Sequence, residues 1–209
     1  MDINIFHSKL SILYGGYNQT IKVLIADIET KYQRFPDSIF NEIRAFNDHI
    51  ARCYIKDYPD EKIEKELEKA EGHIIRITLD CYKYLDAWLY DYFKEFKADF
   101  DISLIDNGEF APRYYNEQAK GARKIREAKQ NESLNKQIAL DKYQEAYNIY
   151  SDLYENIENN LPKIQWAKKM RKKAFLQSVR FWMASTFVAL ILSPIIPWRK
   201  IINWISSIF

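Results

Sequence analysis

Residues 63–96 read IEKELEKAEGHIIRITLDCYKYLDAWLYDYFKEF, and the spacing of their apolar side chains decides the fold class. Ile63, Leu67, Ala70, Ile74, Ile77, Cys81, Leu85, Trp88, Tyr92 and Phe96 recur at steps of three and four. That is the period of one helix face, and it persists for more than thirty residues. Only Gly72 interrupts it, so the spacing predicts a long helix over about Asp60 to Asp99. A helix of that length cannot bury its stripe alone and needs other helices alongside.

The flanking sequence supplies them. Upstream, Phe6, Leu10, Leu13, Tyr17, Ile21, Leu24 and Ile28 predict a helix from residue 3 to about 34, with Gly15 and Gly16 as a kink, break or close contact. Pro36 ends it, and Asp37 or Ser38 is placed to cap a second helix running to about Asp57. That helix turns Ile39, Ile43, Phe46 and Ile50 inward. Downstream, DISLIDNGEFAP at 101–112 reads as irregular, and a helical region follows over about 113–160 with a break near Asn131 to Ser133. NNLP at Asn159 to Pro162 is expected to terminate it. Five glycines and six prolines are too few for a turn-rich β architecture. The expectation is an all-α helical bundle over residues 1–160.

Charge divides the chain at the same place. Of the 31 Lys and Arg residues nine follow residue 160, where no acid occurs; the remaining 22 face 29 acids, a net of −7 over residues 1–160. An acidic body repels a nucleic-acid backbone on average, while a basic, apolar end suits an anionic membrane. Residues 161–180 read as a basic juxtamembrane helix carrying Lys168, Lys169, Arg171, Lys172 and Lys173. Residues 181–198, FWMASTFVALILSPIIPW, form an uncharged membrane segment that includes Phe181, Trp182, Leu190, Ile191 and Trp198. Spanning helices need about 20 residues, so this run is short, and Pro194 and Pro197 bend its far side. A transmembrane pass, a re-entrant insertion and an interfacial helix all remain open. Residues 199–209 are a short apolar tail. The charge bias puts the bundle on the cytoplasmic side. No signal peptide is visible in MDINIFHSKL.

Chemistry-bearing residues are sparse. There are three histidines, and the two cysteines, Cys53 and Cys81, have no metal-ligand spacing and read as reduced core residues. No metal site or cofactor fingerprint appears. RAFNDH at 44–49 pairs Arg44 with His49 on one predicted helix. Five residues place them about 140° apart around the axis, so they do not share a face. A local alternative is the ladder Arg44, Asp48, Arg52, in which His49 is a satisfied buried or intersubunit histidine. Tyr143, Tyr147, Tyr150 and Tyr154 follow steps of four, three and four, which reads as a packing or subunit-contact stripe, with base stacking as the functional alternative.

An Arg-x4-His motif on a helical bundle resembles the HEPN superfamily. The resemblance implies a metal-independent endoribonuclease in which Arg44 orients the scissile phosphate, His49 is general acid or base, and Asn47 supports them. Ala45 departs from the polar residue that active members often carry there. Together with the C-terminal segment, the chain is similar to the membrane-bound HEPN-like effectors of bacterial anti-phage systems, in particular the membrane accessory proteins of type VI-B RNA-targeting CRISPR systems. That likeness implies an inner-membrane location, homo-oligomerisation, a pore-like perturbation of the bilayer, and RNA or an RNA-guided effector complex as a partner. A membrane-anchored scaffold without activity of its own is the remaining alternative.

Overall fold

Three- and four-residue apolar spacing winds into helix throughout the computed structural model, which describes residues 2–100 and 102–192, with backbone alone at Leu104, Asp106, Asn107, Ala167, Leu190 and Leu192. The protein is all-α, with no strand among the described residues. The elements are α1 (Ile3–Gly16), a π turn (Tyr17–Ile21), α2 (Lys22–Tyr32), α3 (Asp37–Arg52), α4 (Asp60–Asp99), a 3-10 turn (Ile102–Gly108), α5 (Phe110–Asn131) and α6 (Lys136–Leu192). They divide into two compact units, the first ending at Asn160 and the second beginning at Leu161.

Several boundaries differ from those expected. Gly15 and Gly16 do not break the first helix but lead into the π turn, whose wider winding places Ile21 in the core with Leu24 and Ile28. α2 closes on Gln33 in the left-handed region, whose N–H donates to the Glu29 carbonyl at 2.8 Å. α3 stops at Arg52, five residues short of the expected Asp57: the N–H groups of Cys53, Tyr54 and Ile55 turn to carbonyls three residues back, each at 3.1 Å, and Asp57 follows with a positive φ of 59°. Residues 102–108 form a 3-10 turn where irregular chain was expected, and Gly108 at φ 93° ends it. α5 then starts early, tolerating Pro112 in its first turn. Asn135 caps α6 by accepting from the N–H groups of Gln137 (3.0 Å) and Ile138 (3.1 Å).

The expected stop at NNLP is a correction. Pro162 lies inside α6. Its ring removes one helical donor, and neither a glycine nor a left-handed residue follows to turn the chain, so the helix continues.

In the first unit α4 is the central rod. Leu67, Ala70, Ile77 and Cys81 pack with Leu10, Leu13, Ile28, Phe46 and Ile50 from the first three helices. A second face of α4, running Thr78, Tyr82, Asp86, Leu89, Phe93, is also buried. There the Phe93 ring meets Tyr114 of α5 and Tyr150 of α6 edge-on, with centroids 6.2 and 5.3 Å apart. The Tyr114 hydroxyl donates to the Phe93 carbonyl at 2.7 Å. Gly121 lets α5 close onto α6: a Cβ there would lie 2.1 Å from the Tyr150 ring. The tyrosines of α6 are thus a packing stripe, Tyr143 and Tyr150 fully buried and Tyr147 donating to Asp27 at 3.0 Å. Both cysteines are buried thiols.

Candidate functional site

The motif Glu-x6-His occurs twice, as Glu42…His49 on α3 and Glu66…His73 on α4. Seven residues are nearly two turns, so each pair shares one helix face. The two helices present these faces to each other in opposite directions. His49 Nδ1 lies 2.6 Å from Glu66 Oε2, and His73 Nδ1 lies 2.6 Å from Glu42 Oε2. The two imidazoles stack between them, centroids 5.1 Å apart and planes 22° from parallel.

Cations surround this square. Lys69 Nζ is 2.7 Å from Glu66 Oε1, Arg52 is 3.8 Å from Glu66, and Arg76 is 3.8 Å from Glu42. The Lys69 ammonium and then His49 hold the Glu66 carboxyl below its usual range, against burial that opposes them. An ionised Glu66 only accepts, so His49 carries its proton on Nδ1 and turns Nε2 away from the carboxylate. A histidine so oriented is equipped as a base, but the His49 and His73 side chains are only 15% and 12% exposed. The geometry is that of a polar clamp between α3 and α4. Cys53 extends it, its buried thiol facing the carbonyls of His49 (3.4 Å) and Ile63 (3.8 Å), with burial pushing its pKa up.

The three residues of the Arg-x4-His reading separate. His49 joins the clamp. Asn47 is spent on structure, donating to the Ile43 carbonyl at 2.9 Å and accepting from the Tyr14 hydroxyl at 3.3 Å. Arg44 is exposed, with no ion pair among the described residues; Asp48 pairs with Arg52 instead, at 2.5 Å. Glu42 and Glu66 were not anticipated as partners of the two histidines, although the repeated seven-residue spacing is present in the sequence. No group of three or more His, Cys, Asp or Glu side chains among the described residues is placed to hold a metal ion.

The second unit carries the other candidate surface. Lys168, Lys169, Arg171, Lys172 and Lys173 are exposed along α6, and so are Trp166, Phe175, Phe181, Trp182, Phe187 and Ile191. From Phe181 to Leu192 no charge occurs. Twelve helical residues measure about 18 Å, against a hydrocarbon core of about 30 Å. Accordingly, no described helix is long and apolar enough to cross a membrane. The remainder of the expected segment, with Trp198 and the tail 199–209, lies outside the described residues, as does the Leu190 side chain.

No protein-family model matches the chain, and no curated protein or solved structure is significantly similar to it.

Proposed function

We propose that this chain is a membrane-anchored effector. Its first unit is a cytoplasmic helical domain, and the end of α6 with the residues beyond it inserts into the bacterial inner membrane. The supporting observation is the acid-free stretch from Leu161 onward, which exposes aromatic and aliphatic side chains beside a run of lysines and arginines. A soluble helix with that many bare large apolar groups is costly in water, whereas an anionic bilayer receives both kinds of side chain. The resemblance to HEPN-like anti-phage effectors adds the biological setting: copies assemble side by side and perturb the bilayer to arrest an infected cell. One short segment encloses no path, so assembly is part of the reading.

The test is fractionation and depolarisation in one bacterial strain. The full chain should resist alkaline carbonate extraction, run larger than a dimer by light scattering in detergent, and depolarise cells on induction. Removal of residues after Arg180 should abolish all membrane readouts. Release into the carbonate supernatant would end the proposal.

A membrane-tethered endoribonuclease is the second reading, favoured by one observation, the carboxylate that orients His49. His49→Ala should then abolish RNA cleavage measured with chelator present; retained depolarisation in that variant supports the bilayer-directed reading.

A further inference from the structure

The second buried face of α4 carries a group that the clamp and the membrane segment leave unused. Asp86 is 3% exposed, and neither of its carboxylate oxygens has a hydrogen-bond partner among the described groups. Nearly every buried polar group finds a partner, and an acid in this setting calls for a reason. It lines a cleft of about 640 Å3 between α4, α5 and the start of α6, within the first unit. That volume is the size of a small-molecule site.

The walls specify the chemistry. Tyr90, Tyr143 and Tyr150 supply aromatic surface, and Ile125 and Ala87 supply aliphatic surface. Two lysines and two further acids also line the cleft, Lys83, Lys129, Asp91 and Glu132, with Lys83 2.8 Å from Glu132 and the Tyr143 hydroxyl also donating to Glu132. Asp86 is the acid of the cleft that is both buried and without a hydrogen-bond partner for either oxygen. Tyr143 already takes the Lys83 ammonium over its ring at 5.6 Å, so these faces suit cations. An anion would leave both Asp86 oxygens without a donor and would meet Glu132 and Asp91 as well.

We propose that this cleft binds a small organic cation, an ammonium or amidinium head on a flat apolar body, with Asp86 as its counter-ion and the three tyrosines as its walls. This assignment is independent of the membrane reading. Burial alone pushes the Asp86 carboxyl up to about 8, so binding at neutral pH must drive its proton off. The titratable groups around it are Tyr82, Tyr143 and Tyr150, all shifted upward chiefly by burial, together with Tyr90, Lys83, Lys129, Asp91 and Glu132 on the cleft lining.

The experiment is calorimetric titration of the full chain, in a neutral detergent, with benzamidine, which is cationic throughout. At pH 7 one site should fill with release of about 0.9 proton, read from buffers of different ionisation heat, and affinity should rise about tenfold by pH 9. Uncharged benzamide and anionic benzoate should bind at least tenfold more weakly. Asp86→Asn should cost at least tenfold and abolish proton release. Should that variant fold poorly, Ala122→Phe decides, since Ala122 is exposed on the cleft wall and the larger ring blocks entry with Asp86 intact. Benzamidine binding that is absent at millimolar concentration, indifferent to both variants, or unaccompanied by proton release overturns the proposal and leaves Asp86 a carboxyl that holds only water.

Discussion

Glu66 and Asp86 are nearly buried acids on the same helix, and their surroundings give them opposite effects on stability. Glu66 has Lys69 and His49 in hydrogen-bonding reach, so its folded carboxyl titrates below its ordinary 4.5. The stabilisation it brings is complete above that value and is lost as pH falls through the lowered one. Glu66→Gln should therefore cost about 1–3 kcal/mol at pH 7. In urea unfolding the difference from the parent should shrink toward pH 3. Asp86 has no partner, and its carboxyl is raised from 3.8 to about 8. Folding then favours the protonated form, so stability is greatest below 3.8 and falls as pH rises to about 8. At about 1.4 kcal/mol per pH unit, the cost at pH 7 is on the order of 4 kcal/mol. Asp86→Asn removes that pH dependence but still buries an amide, so a net gain of about 1–3 kcal/mol near pH 8 should turn into a net loss of about 2–3 kcal/mol near pH 4. Paired pH series of urea midpoints would show the two variants diverging in opposite directions.

Glycine is tolerated in these helices for different reasons, and two substitutions separate them. Gly121 on α5 touches Tyr150, and an added methyl would sit inside the ring. Gly121→Ala should lose about 1–3 kcal/mol through overpacking, seen as a lower Tm and an altered tyrosine near-ultraviolet spectrum. Gly72 on α4 has nothing within 4 Å of a built Cβ, so Gly72→Ala should gain about 0.5–1 kcal/mol from helix propensity alone. The contrast also marks what the sequence discloses at this scale. The helices were legible because their apolar period is long, and the interruption at Asn131 to Ser133 because polar residues break it. The second face of α4 was not, because Asp86 and Thr78 fall among its apolar positions and disguise the stripe. Pro162 misled because proline disfavours helix locally, while the residues on either side decide whether the chain turns. The clamp is half legible: a satisfied buried or intersubunit histidine is one of the two readings His49 allows, but its partner lies across a helix pair, where spacing along one chain gives no direct signal.

At the scale of the molecule, the proposed membrane function makes a testable claim about the distribution of charge. The first 160 residues carry a net −7 and are repelled by an anionic surface, whereas everything after them is basic or neutral. In that proposal, attachment depends on Lys168, Lys169, Arg171, Lys172 and Lys173 together with the exposed aromatics that follow. Each cation near an anionic surface contributes about 1 kcal/mol, but cations spread around a helix cannot all face one plane, so about half count, or roughly 2–3 kcal/mol. Replacing all five by glutamine should weaken binding of the full chain to phosphatidylserine-containing vesicles by about a hundredfold at 0.1 M salt. Binding to neutral phosphatidylcholine vesicles should change little, since there the apolar groups act alone. Raising the salt to about 0.5 M should close most of the gap, because the Debye length falls to about 4 Å and the surface charge is screened. Phe181→Ala with Trp182→Ala should do the reverse, weakening binding to both vesicles at any salt, because it removes apolar area and no charge. Vesicle co-sedimentation of the two variants across lipid composition and salt separates these contributions. If the fivefold variant binds anionic vesicles as tightly as the parent, the basic run is a solvated face and attachment is apolar throughout.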